Sequence, residues 1–269
     1  MPLLWSRVAL VFYGVGVVYA LLSLGRKHEL IQRLLAPAVL MGAAFHFVAL
    51  AETAMLQGVV APASAHQAES MLAFLIVIFF LAFWSKYKTT MPGAIVFPVA
   101  LLLLLPSAFG GMAPEFSSPL LRTAWIAVHV TLIFLGYAAL LLSFVASLLY
   151  LVQERRLKSK SPKLWRMPPL EVIDEISYRS LLIGFPFMTL GLIAGAVVAQ
   201  VYVGAEFFDD PKIILSLVLW AVYLALLFSR WSAGWRGRKA AFLATFGFLA
   251  ALSTWAANYF SQTHRFLGP

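Results

Sequence analysis

Five histidines are the side chains in this sequence best equipped for chemistry, because a neutral imidazole offers a lone pair to a metal and titrates near neutral pH. Three of them fall within or beside long apolar runs, where an ionisable group is costly and marks a functional position by default. His129 lies nine residues into a run that starts at 120, roughly 13 Å at helical rise. Trp125, Ile133, Gly136 and Ser143 share its helical face, a stripe of small and aromatic residues along which something bulky can approach. His264 follows the last apolar run by four residues, and His46 sits about midway along the second. Each has a plainer reading, a histidine hydrogen-bonded to a neighbouring helix. His28, beside Arg26 and Lys27, and His66, in a short loop, read as solvated residues. Glu52, six residues beyond His46 and about 240° around a helix from it, either snorkels to an interface or lines a polar route.

What is missing narrows the chemistry further. The chain has no cysteine, which excludes disulfides, thiolate metal sites, thiol nucleophiles and covalent attachment of a vinyl group. No nucleophile stands beside a base and no protein-only metal-ligand cluster is readable, so no enzyme activity is expected.

The elements that must position these residues follow from composition. Of 269 residues 62% are hydrophobic and 12% charged, against about 45 to 50% and about 25% in a soluble domain. Lipid is therefore the expected solvent. At about 20 apolar residues per span the chain holds roughly eight helices and no sizeable soluble domain, so 1–269 reads as a single all-α transmembrane domain. The apolar runs fall near 4–24, 36–57, 69–85, 92–109, 120–153, 180–203, 212–230 and 239–260. No small-residue cleavage site follows the first run, so a cleaved signal peptide is not expected. Sixteen of the 20 Lys and Arg residues fall at alternate connections, around 26–33, 86–88, 155–179 and 230–239. By the positive-inside rule these face the cytoplasm and both termini face out. The same bias accounts for the net charge of +9 without nucleic acid as a partner.

The basic segment 154–179, with Pro162, Pro168 and Pro169, is the main linker; within it Leu170, Ile173 and Ile176 suit a short interfacial helix ahead of the sixth span. Gly191-Leu-Ile-Ala-Gly195 matches the small-xxx-small spacing of close helix packing. In the outer loop 203–211, Phe207 and Phe208 suit covering an apolar ligand or dipping into the interface. Asp209 and Asp210 suit capping the next helix, which begins with Pro211.

Between 120 and 264 the residues resemble the cytochrome c assembly, or haem-handling, membrane proteins that include CcsA, CcmC, HemX and YpjD. The resemblance rests on Trp125 through His129 with Gly136-Tyr137-Ala138 and on Leu149-Tyr150-Leu151-Val152-Gln153-Glu154. It continues through Asp174, Tyr178-Arg179, Gly184-Phe185-Pro186, Gly191 and Gly195-Ala196, then Asp210-Pro211-Lys212, Arg230, and Gly234-Trp235-Arg236-Gly237-Arg238-Lys239-Ala240 before His264. Residues 1–119 are similar mainly in layout, with His46 placed like the family's membrane-embedded histidine, and the short chain looks closest to the HemX and YpjD branch. The resemblance implies a haem b held without a covalent bond at the outer face, with His129 and His264 as axial ligands to its iron. His46 would stand deeper on the path that haem takes. It also implies Trp125, Phe207 and Asp210 beside the macrocycle, in a bacterial inner membrane. The implied partners are the lipid bilayer, haem and another cytochrome c assembly membrane protein or a haem-synthesis enzyme.

One departure stands out. The family's loop has the form Trp-Gly-x-x-Trp-x-Trp-Asp; here Gly204 and Asp210 remain, but Val203, Phe207 and Asp209 replace the tryptophans. Two functions therefore stay open: handling or exporting haem for cytochrome c maturation, or acting as a HemX-like regulator of haem supply or a subunit of a membrane complex that no longer binds it. The charge bias generates a topological test. In this cysteine-free chain, Lys160→Cys is expected to react with a membrane-impermeant thiol reagent only after the membrane is opened, and Glu115→Cys to react in intact cells. Labelling of position 160 from outside would reverse the orientation.

Overall fold

The computed structural model describes residues 1–23, 29–110, 124–159, 167–202 and 209–256. Eight helices account for nearly all of them: α1 Pro2–Ser23, α2 Glu29–Gln57, α3 Ala65–Tyr87, α4 Gly93–Ala108, α5 Ala124–Lys158, α6 Leu170–Tyr202, α7 Pro211–Ser232 and α8 Arg238–Ala256. A helix satisfies its backbone N–H and C=O groups internally, which lipid cannot do for it, so uninterrupted apolar runs fold this way. Six are long and apolar enough to cross a membrane: α1, the Pro37–Gln57 part of α2, α3, α5, α6 and α7. With 16 residues, α4 rises about 24 Å against a hydrocarbon core of about 30 Å. The described part of α8 also stands outside that set. The expected polytopic all-α architecture is present, with eight helices of which, among the described residues, six qualify as spans by length and composition.

Two boundaries change. Residues 170–179 do not form a separate interfacial helix, because α6 runs unbroken from Leu170 to Tyr202. Ile173, Ile176, Ser177, Ser180 and Leu181 are all buried, and their three- and four-residue spacing continues into Gly184, Met188 and Gly191, so one face packs along the whole length. The basic run at 154–158 is likewise helical, the last turn of α5, with Lys158 Nζ 2.7 Å from Glu154 one turn earlier. Of the linker expected over 154–179, residues 154–158 and 170–179 are thus helical.

The helix starts have local causes. Ser64 caps α3 by accepting from the Gln67 N–H, while Gln67 Oε1 accepts from the Ala63 N–H at 2.8 Å, a reciprocal pair of capping-box type. At α7, Asp210 Oδ1 accepts from the Lys212 N–H at 2.9 Å and Pro211 opens the first turn. The capping role expected for this acidic pair thus falls to Asp210.

α1 packs on α2 and α4, α3 on α4, and α7 on α8, and α5 joins the two halves by packing against α3, α8 and, most extensively, α6. On α1, Val11, Val15, Val18 and Leu22 are exposed as one stripe while Ala9, Tyr13 and Ala20 are buried; the exposed stripe is the face offered to lipid. On α6, Leu190, Ile193, Val197 and Val201 form a similar exposed stripe, opposite the glycines.

Those glycines set the α5–α6 distance. A methyl group at Gly184 would stand 2.8 Å from Ala139 Cβ, which cannot rotate away, and 3.3 Å from the Gly136 carbonyl oxygen. Gly14 in α1 is the contrast, its nearest neighbour being a Leu101 methyl at 3.8 Å. Gly184→Ala is expected to destabilise by about 1 to 3 kcal/mol through overpacking. Gly14→Ala should be neutral or stabilise by up to about 1 kcal/mol through helix propensity. Thermal unfolding of the two variants in one detergent reads the difference, and equal midpoints would contradict the close approach.

Candidate functional site

His46 is fully buried between α1 and α3. Its Nδ1 lies 3.1 Å from the Tyr13 hydroxyl and its Nε2 2.9 Å from the Ser70 hydroxyl, and the Tyr13 and Phe74 rings meet it edge-on. A neutral imidazole has one donor and one acceptor nitrogen, and here both are engaged by hydroxyls that can supply either role. The arrangement is a satisfied polar knot, and it offers no lone pair to an incoming metal unless one of those hydroxyls leaves.

His129 is different. It is half-buried in the α5–α6 seam, and its Nδ1 lies 2.7 Å from the Gly191 carbonyl oxygen. A carbonyl can only accept, so Nδ1 carries the proton and Nε2 keeps its lone pair. The ring fits because α6 has no side chain opposite it: a Cβ at Gly195 would fall 2.6 Å from the imidazole Cε1 and Nδ1. Backbone anchoring of Nδ1 is how metal-binding histidines are commonly oriented, with Nε2 turned to the metal. Trp125, one turn earlier, is largely exposed.

The stripe expected to admit something bulky along His129 is filled by protein. Ile133 meets Gly191, Gly136 meets Met188, and Ser143 bonds Ser177 at 3.1 Å, so what approaches is α6. The glycines at 184, 191 and 195 carried that signal in the sequence. Toward the far end of α5, Ser147 also reaches Ser177 at 3.0 Å.

His46 and His129 stand in different helix groups and are not brought together. His264 and Phe207 lie outside the described residues. Asp210 is buried as the α7 cap, next to Lys212, which lies within electrostatic range of His129. This lysine therefore belongs to the surroundings of His129. Glu52 Oε1 is paired to the Met1 ammonium. No cluster of three or more His, Cys, Asp or Glu side chains suited to a metal occurs among the described residues.

Sequence reasoning missed one constellation. At the opposite end of the bundle Asp174 on α6 takes two 2.9 Å hydrogen bonds from Arg230 Nη1 and Nη2 on α7, and a third from the Gly237 N–H at 3.2 Å. Gly237 is required twice, by its φ of +65° and by the Tyr150 hydroxyl, which occupies the place a Cβ would take. In the sequence Asp174 and Arg230 stand only as residues of the family pattern, without a sign that they pair.

The bundle and its backbone-anchored histidine define a polytopic helical membrane protein equipped to present one imidazole at a helix seam. Comparison with known proteins supplies the rest. The family model for Cytochrome C assembly protein matches residues 63–263. The chain is 31% identical over 221 residues to a cytochrome c biogenesis protein CcsA of Heterosigma akashiwo, covering 67% of this chain and 68% of the relative. It is 32% identical over 206 residues to the CcsA of Guillardia theta, covering 67% and 68%, and 36% identical over 194 residues to that of Prochlorococcus marinus strain MIT 9215, covering 62% of each. This chain belongs to the cytochrome c assembly protein family. These relatives are CcsA proteins, and the closeness to the HemX and YpjD branch expected from chain length finds no support among them. The matched region starts beyond His46 and includes His129.

The geometry at His46 makes a stability prediction. His46→Leu leaves the Tyr13 and Ser70 hydroxyls without their partner in a dry interior, at a cost of about 1 kcal/mol or more for each. Adding Tyr13→Phe and Ser70→Ala to His46→Leu should recover part of that loss. A triple variant no more stable than the single one, by thermal unfolding, would show that the three groups do not form a unit.

Proposed function

We propose that this protein handles haem for cytochrome c assembly, holding haem b without a covalent bond at the end of the bundle where α5 begins. The observation that carries the reading is the Nδ1–Gly191 hydrogen bond of His129, which fixes the ring and leaves Nε2 free to ligate iron. Family membership supports the same chemistry, and the absence of cysteine agrees with non-covalent retention. In this reading His264 supplies the second axial ligand, Trp125 and Phe207 border the ring, and Lys212 offers a positive charge toward its carboxylates. The neutral, hydroxyl-bonded His46 acts only once its knot opens. The chain binds and passes on its cargo and catalyses no reaction.

We place the His129 end, with both termini, on the outer side of a bacterial cytoplasmic membrane, in keeping with the basic connections at the other end. The algal sources of some relatives leave an organellar membrane as the counterpart. Another cytochrome c assembly membrane protein or a haem-synthesis enzyme is the fitting partner. A second reading, a regulator or scaffold without haem, draws support from the three missing tryptophans and from Asp210, whose Oδ1 is committed to the α7 cap.

His129→Gly is expected to lower haem per protein in washed membranes by about tenfold or more, the scale of losing a ligand or its support, and added imidazole should restore part of the Soret band. Gly195→Ala should shift the band by displacing the ring. Unchanged haem content in both His129→Gly and His264→Gly would reject haem binding at these residues and favour the regulator.

A further inference from the structure

Where α6 begins and α7 ends, a cavity of about 650 Å³ opens between Tyr150, Glu171, Asp174, Tyr178, Arg230 and Arg236, a size in the range of small-ligand sites. Its walls carry both signs of charge in separate places. On one side Arg230, with only 6% of its side chain exposed, is clamped on Asp174 and lies over the Tyr178 ring, 5.0 Å from its centroid, while its Nε has no acceptor among the described residues. Arg236 stands near it, exposed and without an ion-pair partner among the described residues. On the α6 side Glu171 is exposed and also has no ion-pair partner among the described residues, and Glu175 is joined to Arg179 at 2.6 Å. A simple anion would meet these carboxylates and a simple cation the guanidiniums, so the cavity suits a ligand with both charges a few ångströms apart.

The depth of the cavity says where such a ligand comes from. Trp231 and Trp235 are exposed beside it, Lys239 lies over the Trp235 ring and Arg238 over the Phe242 ring. Exposed tryptophans and basic side chains concentrate where helices leave the hydrocarbon and enter the headgroup layer. We propose that this cavity binds the headgroup of a zwitterionic aminophospholipid, its phosphate on Arg236 within the positive field of the buried Arg230 and its ammonium on Glu171. Guanidinium groups match phosphate oxygens in geometry and charge, and an ammonium brings three N–H donors that a trimethylated headgroup lacks. The site is independent of the haem reading.

The test uses the whole purified protein, delipidated in detergent and offered phosphatidylethanolamine, phosphatidylcholine and phosphatidylglycerol with identical acyl chains, with bound lipid counted by native mass spectrometry. Phosphatidylethanolamine is expected to be retained about tenfold over the other two, the scale of one charge-assisted contact. Arg236→Gln and Glu171→Gln, both exposed positions outside the Asp174–Arg230 clamp, should each abolish that preference with the unfolding midpoint unchanged. Loss of the ammonium contact in Glu171→Gln should move the preference toward phosphatidylglycerol. Equal retention of the three lipids, a wild-type preference for phosphatidylglycerol, or an unchanged preference in both variants would overturn the proposal. Protection by glycerophosphoethanolamine equal to that by the intact lipid would assign the cavity to a soluble phosphorylated amine instead.

Discussion

The distance between the α5 and α6 backbones is the constraint on which the rest of this molecule depends. In lipid there is no hydrophobic gain from pressing two apolar helices together, so the attraction must come from close packing and hydrogen bonds. Gly136, Gly184, Gly191 and Gly195 remove the side chains that would hold the helices apart, and the buried Ser143, Ser147 and Ser177 bond across the gap so opened. The same approach lets an imidazole on one helix reach a carbonyl oxygen on the other. The tautomer of His129 is therefore a product of helix packing, set by a backbone carbonyl.

The two ends of this seam are built in opposite ways. At the His129 end a nitrogen lone pair is left over, beside a partly buried lysine. At the far end the central charges are paired, with Arg230 and Asp174 matched by two parallel bonds and a backbone N–H completing the carboxylate, while Glu171 and Arg236 stand at the edge of a cavity. A bidentate guanidinium–carboxylate pair is directional, and this one ties α6 to α7 and, through Gly237, to the entry of α8. The lone pair at the first end is what an incoming ligand meets, and the clamp at the second fixes the helices that support it.

Much of the architecture could be read from residue order because bilayer thickness sets the scale of an apolar run. The helix count, the α7 cap at Asp210 and the small-residue seam followed from apolar runs, Pro211 and the glycine spacing. Where the reading departed from the structure, the cause was tertiary. Leu170, Ile173 and Ile176 have the same period in an interfacial helix as in the first turns of a long span, and what distinguishes them is burial against the neighbouring core. The faces of His129 were misjudged because the stripe was considered on α5 alone, while its partner stripe lay on α6. For His46 the sequence could not show that Tyr13 and Ser70, on two other helices, would take both nitrogens. Asp174 and Arg230 are 56 residues apart, and no local pattern announces a pair at that separation.

α5 has 35 residues and α6 has 33, which at helical rise makes two rods of about 50 Å, some 20 Å longer than the hydrocarbon they cross. The surplus falls at the end carrying Glu154, Arg155, Arg156 and Lys158 on one rod and Glu171, Asp174 and Glu175 on the other, since charges of that density stay out of hydrocarbon. The antiparallel pair thus runs on through the headgroup layer and beyond it like a short mast. The exposed Arg155 and Lys158 are thereby held clear of the hydrocarbon, where a soluble protein can reach them without displacing a single lipid.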